Sequence, residues 1–174
     1  TDYNEKLKKD GVVLIKNVWP TEIMNEVREE YDMLDKTLTR REILKEKPII
    51  VFWKHVIGQQ KRIAVFDELP KLWNLINKFI VPKVKEILND QNAKLQLLET
   101  IVFNKPYKES NTLHWHQDVA YFPLKPNNQI AIWTPLETVT KESGALNYAL
   151  GSHKGGIKGS TDLHTRKPFD NENR

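Results

Sequence analysis

Two histidines and an aspartate occupy every second position of the stretch NTLHWHQDVAYFP, where they are His114, His116 and Asp118. On a β-strand, alternate side chains point to the same face, so these groups could converge while Trp115 and Gln117 face the other way. Imidazole and carboxylate groups that converge in this way are ligands for a divalent metal ion. The first hypothesis is therefore a metal site that includes His116 and Asp118.

The spacing of two residues does not identify the metal, because a His-x-Asp pair would occur by chance in roughly one of several chains of this size. A ferrous site that activates oxygen needs two histidines and one carboxylate on one face of the ion, with the opposite positions open. His116 and Asp118 supply two of these three ligands. Whether they belong to such a ferrous site depends on the rest of the sequence.

The elements that position this stretch change in character along the chain. The 174 residues, of which 39% are hydrophobic, are enough for one domain over 1–174. The part at 1–92 is mostly helical in pattern, 93–157 holds short apolar or alternating runs, and 158–174 is a polar tail. Helices followed by strands predict an α+β chain, with helices packed on one side of a largely antiparallel sheet or barrel.

Two helices have the clearest patterns. An apolar stripe predicts a helix after Pro20, with the positions Ile23, Val27, Tyr31, Leu34 and Leu38. A second helix is expected from Pro70, interrupted or kinked near Pro82. A short helix over 3–9 and strands over 12–19 and 48–53 complete the expected N-terminal part.

Composition narrows the classes of partner. The net charge is +4, but the 27 basic residues are scattered among 23 acidic ones, so no nucleic-acid partner is expected. Without cysteine there is neither a disulfide scaffold nor a thiolate metal site, which fits a cytoplasmic protein. No run reaches the ~20 apolar residues of a membrane span.

The segment HQDVAYFPLKPNNQIAIWTPLETVTKESGALNYALGSHKGG, residues 116–156, resembles the central part of the phytanoyl-CoA dioxygenase family. The similarity includes His-Gln-Asp, YFP with a following proline, Trp-Thr, SGAL and GSHKG, and extends upstream to ETIVFNKP. This resemblance implies an oxidoreductase that uses Fe(II) and 2-oxoglutarate. It also implies a double-stranded β-helix, a jelly-roll or cupin-like fold, with the N-terminal helices packed on its sheet.

The resemblance also implies roles for particular residues. His116 and Asp118 match the first two iron ligands, and Trp133 matches a tryptophan that lines the 2-oxoglutarate pocket. Ile101 falls at an apolar neighbour of the cosubstrate, and Arg62 or Lys61 at a basic residue near it. His153 matches no iron ligand, and His114 lies outside the matched pair.

The family's second histidine ligand and its arginine for 2-oxoglutarate have no clear counterpart in this sequence. His164 and Arg166 lie in the polar tail, in a setting that does not resemble the expected strand. Half of a β-helix would leave open sheet edges. We therefore expect the chain to be a fragment whose C-terminal strands are missing.

The expected reaction is hydroxylation of a small-molecule or acyl-type substrate by O2, with release of succinate and CO2. The retained carboxylate of Asp118 favours hydroxylation, because related halogenases replace it with a small residue. Two alternatives stay open. One is a metallo-β-lactamase-like metallohydrolase, whose His-x-His-x-Asp-His signature would end at Val119 here; the other is a non-catalytic β-barrel binding domain. Substrate identity and oligomeric state are left open.

Overall fold

The computed structural model describes residues 2–37, 51–55, 58–62, 69–104, 115–121, 124–126 and 128–157. Helices and one antiparallel sheet make up its regular structure, which is α+β in class. The helices are α1 (Tyr3–Asp10), α2 (Thr21–Thr37), α3 (Pro70–Leu75) and α4 (Val81–Leu88), with a π-helical turn at Ile76–Ile80 and 3₁₀ turns at Asp118–Tyr121 and Ser152–Gly155. The strands are β1 (Val51–His55), β2 (Gly58–Arg62) and β3 (Ile101–Asn104).

The first helix has a capping residue at each end. The Asp2 side chain accepts a hydrogen bond of 3.1 Å from the Glu5 amide, as an N-cap aspartate does. The helix ends at Gly11, whose φ of 76° lets its N–H reach the Leu7 carbonyl at 2.8 Å. The short helix predicted over 3–9 is confirmed.

The predicted apolar stripe forms the buried face of α2. Val27 and Tyr31 are buried, and Leu34 is half-buried, while Leu38 falls outside the described residues. The helix predicted after Pro20 is confirmed, over Thr21–Thr37. Its apolar residues recur at the helical period, so they lie on one face and pack against the core.

The helix predicted from Pro70 is interrupted, as expected. The π-helical turn at Ile76–Ile80 separates α3 from α4 and ends two residues before Pro82. Proline has no N–H to donate and its ring crowds the carbonyl four residues earlier, so the preceding turn widens. None of the helices described in this chain combines the length and the apolar character needed to cross a membrane.

A carboxylate from α2 caps the start of α3. Leu69, which precedes α3, offers no capping side chain, and Glu30 accepts hydrogen bonds of 2.8 Å from the Lys71 amide and 3.0 Å from the Leu72 amide. This arrangement ties the two helices together over a core cluster. Its members are the buried Tyr31 and Leu69 with the partly buried Leu34, Leu72, Val102 and Leu136.

The sheet has the order β1-β2-β3, and both pairings are antiparallel. Val102 of β3 packs against the core cluster, so its side of β3 contacts the helices. Because strand residues alternate between faces, Ile101 and Phe103 lie on the opposite face. Val102 therefore points toward the helical core, and Ile101 and Phe103 point to the other side of β3.

Two sets of predicted strands differ from the structure. Residues 11–20 contain no strand; Asn17 has a positive φ of 53°, which breaks an extended run, and Leu14 is 75% exposed. The runs at 129–139 and 144–150 are also without strand hydrogen bonding. A strand needs a partner for its backbone groups, and no described strand pairs with these runs. The described residues accordingly show one three-stranded sheet and do not show a double-stranded β-helix.

Candidate metal and cosubstrate site

The two residues singled out as ligands lie side by side. The Nε2 atom of His116 is 3.2 Å from Oδ1 of Asp118. Asp118 is the first residue of the 3₁₀ turn that ends at Tyr121. The pair therefore lies where an irregular segment enters this turn.

This separation is compatible with two ligands of one ion. Neighbouring ligands of an octahedral ion, each about 2.1 Å from it, lie about 3.0 Å apart. The His116 side chain is 24% exposed and that of Asp118 is 59% exposed, so an ion from solvent could reach the carboxylate. An imidazole nitrogen and a carboxylate oxygen also suit ferrous iron, and the pair therefore passes the test of donor chemistry.

A third ligand is not found in the part of the chain that the structure describes. No group of three or more His, Asp or Glu side chains able to hold an ion occurs there. His114, His164 and Arg166 lie outside the described residues. The described site supplies two ligands.

Trp133 lies in a segment, 131–135, without regular secondary structure. Its neighbours Thr134 and Leu136 are half-buried, since Trp19 Nε1 donates to Thr134 Oγ1 at 3.4 Å and Leu136 packs on the core cluster. Trp133 itself is 44% exposed, and the preceding Ile132 is 43% exposed. Part of the Trp133 ring is therefore accessible to a bound molecule.

The register of the sheet separates the two basic candidates. Arg62 is the direct partner of Ile101, whereas Lys61 is the partner of Val102. Directly opposite positions of an antiparallel pair share a face. Arg62 therefore occupies a position on the face of Ile101, and Lys61 a position on the face of Val102.

Tyr148 lies near the candidate ligand Asp118, which the sequence pattern did not indicate. Burial, and then the negative charge of Asp118, raise the pKa of the Tyr148 phenol. In the sequence this residue belongs to GALNYAL, which looks like an apolar run. A single phenol in such a run was the only available signal.

The histidine of the GSHKG motif has a different position. His153 donates from Nε2 to the Lys8 carbonyl at 3.0 Å, at the end of α1. The neighbouring Gly156 carbonyl accepts a hydrogen bond of 3.1 Å from Nε2 of Gln117, the residue between the two candidate ligands. The motif therefore contacts the site segment, residues 116–118, through Gly156, while the His153 imidazole contacts α1 instead.

Comparison with known proteins gives a consistent result. The chain matches the family model described as phytanoyl-CoA dioxygenase (PhyH) over residues 7–174. It is 28% identical over 158 residues to a probable phytanoyl-CoA dioxygenase of Caenorhabditis elegans, covering 85% of this chain and 51% of that protein. It is 24% identical over 169 residues to the peroxisomal phytanoyl-CoA dioxygenase of Homo sapiens, covering 87% of this chain and 46% of that protein.

The chain spans about half the length of the curated relatives that it matches. No solved structure matches it significantly. Since the family model covers nearly all of the sequence, the chain belongs to the phytanoyl-CoA dioxygenase family.

Proposed function

We propose that this protein is an Fe(II)- and 2-oxoglutarate-dependent dioxygenase. It hydroxylates a small-molecule or acyl-type substrate with O2 and releases succinate and CO2. The observation that carries the proposal is the 3.2 Å separation of His116 Nε2 and Asp118 Oδ1, in a chain of the phytanoyl-CoA dioxygenase family. The same separation would suit a hydrogen bond between the two side chains, so direct metal binding has to be measured.

Each candidate residue has a role that follows from its chemistry. His116 and Asp118 would hold the iron, which together with 2-oxoglutarate supplies the oxygen chemistry. Trp133 and Ile101 would form apolar walls that orient the cosubstrate and exclude water. Arg62 would offer a positive charge near the cosubstrate, and its register opposite Ile101 favours it over Lys61.

We further propose a single domain with a double-stranded β-helix, in which β1, β2 and β3 form part of one sheet. The packing of Val102 on the helical core supports an arrangement with the helices outside and the site face inside. A cytoplasmic location stays a prediction, because the human relative is named as peroxisomal. The comparisons favour neither the metallohydrolase nor the non-catalytic binding domain.

Succinate formation in the presence of Fe(II), 2-oxoglutarate and O2 tests the proposed function. We expect His116→Ala and Asp118→Ala each to lower the rate by more than about 100-fold, because even the loss of an outer partner of a metal ligand costs 10–100-fold. Circular dichroism of both variants should match that of the unaltered chain, since His116 and Asp118 are partly exposed.

Asp32→Ala is the matched control. This exposed carboxylate pairs with Arg28 at 4.0 Å, an interaction worth little at a surface, so the rate should be unchanged. Equal rates in the unaltered chain and in both site variants would refute the assignment of His116 and Asp118.

A further inference from the structure

The turn formed by residues 151–156 is attached to the end of α1. The Gly151 amide donates to the Asp10 carbonyl at 2.7 Å, and His153 Nε2 donates to the Lys8 carbonyl at 3.0 Å. The last carbonyls of a helix have no partner within the helix. The 151–156 turn thus supplies donors that the C-terminus of α1 needs, and the helix fixes the turn.

The close fit of this attachment requires a glycine. The His153 ring lies so near Gly11 that a Cβ at this position would be 2.4 Å from Nδ1, and Gly11 has a φ of +76°. A side chain could not be accommodated without moving the ring. The position of the turn relative to α1 is therefore set by packing as well as by hydrogen bonds.

The same turn also binds the site segment. Gln117 Nε2 donates to the Gly156 carbonyl at 3.1 Å, across 39 residues of sequence. Gln117 lies between His116 and Asp118, whose side chains approach each other to 3.2 Å. Anchoring the middle residue of such a triplet limits how far the backbone on either side of it can rotate.

We infer that Gln117 is a positioning residue, which holds the two ligands in register for an ion by anchoring their segment to the 151–156 turn. This inference rests on the proposed function. Partners that orient metal ligands from outside typically change metal affinity by 10–100-fold when they are lost. One hydrogen bond at the surface contributes much less to global stability, which makes the two effects separable.

Binding of Co(II), as a probe for the ferrous site, tests the role of Gln117. We expect Gln117→Met to bind Co(II) about tenfold more weakly and to change the visible d–d spectrum of the complex. The melting temperature of the metal-free protein should stay unchanged. Gln91→Met makes the same chemical change at an exposed position after α4, and it should bind Co(II) as the unaltered chain does.

A second variant guards against misfolding of the first. Gln117→Asn keeps the amide but is one methylene shorter, so it should also lose the Gly156 contact and the same fraction of affinity. Unchanged affinity and spectrum in both variants would overturn the positioning role alone. Failure of the unaltered chain to bind Co(II) or Fe(II) would overturn the proposed function and this inference with it.

Discussion

Tyr31 is the residue of the core whose ionisation is most strongly affected by folding. It lies on α2 and is buried with Leu69 in the core cluster, and burial, followed by the charge of Asp32, raises the pKa of its phenol to about 12 from 10.0. The folded protein therefore holds this proton more tightly than the unfolded chain does. The stabilisation from the neutral phenol is complete below pH 10 and is lost as the pH rises toward 12.

We predict that the free energy of unfolding falls between pH 10 and pH 12, and that Tyr31→Phe reduces this fall. The free energy of unfolding of the unaltered chain should fall by about 1–3 kcal/mol more than that of Tyr31→Phe over this range, since one pKa unit corresponds to about 1.4 kcal/mol. Urea unfolding at several pH values measures it. Parallel pH profiles for the two proteins would contradict the burial of the Tyr31 phenol.

The candidate ligands show how far residue types alone can predict a site. The spacing predicted that His116 and Asp118 share one face of a strand; the structure brings their polar atoms to 3.2 Å, but with Asp118 at the start of a 3₁₀ turn and without a strand at 115–118. The sequence did not predict that Tyr148 lies near Asp118 or that Gln117 donates a hydrogen bond to Gly156. Each of these pairs joins segments more than 25 residues apart in the sequence. Contacts of this kind depend on tertiary packing, which spacing does not encode.

At the scale of elements, the junction between α1 and the 151–156 turn leaves no room for a side chain at Gly11. A Cβ at Gly11 would approach the His153 ring, whereas one at Gly156, where φ is +73°, would meet no atom within 4 Å. Both positions disfavour alanine through their backbone conformation, and Gly11 disfavours it through packing as well. The two glycines therefore form a matched pair.

We predict that Gly11→Ala lowers the free energy of unfolding by about 2–4 kcal/mol, and Gly156→Ala by only about 1–2 kcal/mol. In a His153→Ala background the cost of Gly11→Ala should fall to that of Gly156→Ala, because the ring is gone. Urea unfolding of the single and double variants measures this coupling. Equal costs of Gly11→Ala with and without the ring would contradict the contact.

Helices and strands differed in how well the sequence predicted them. The stripe of α2 and the interruption before Pro82 are local patterns, and both are confirmed. The apolar run at 12–19 resembled a strand but pairs with none of the described strands, and it includes Asn17 with positive φ. Strand formation depends on a neighbour from elsewhere in the chain, so alternation alone could not predict it.

For the whole molecule, the described residues show a helical layer and one sheet in a chain about half as long as its relatives. Several large apolar side chains in the segment 130–157 are exposed. They are Ile130, Ile132, Trp133, Leu146, Tyr148, Leu150 and Ile157. The family could be predicted because its motifs lie close together in the sequence, at 116–156. A double-stranded β-helix requires strand pairings beyond the one three-stranded sheet that the described residues show.

The most direct test is an anaerobic titration of the chain with Fe(II) in the presence of 2-oxoglutarate, followed by visible absorption. A keto acid chelated to ferrous iron gives a charge-transfer band. We predict that the band forms with the unaltered chain and with Asp32→Ala, and is lost in His116→Ala and Asp118→Ala. A band of the same intensity in either site variant, or no band with the unaltered chain, would contradict the account.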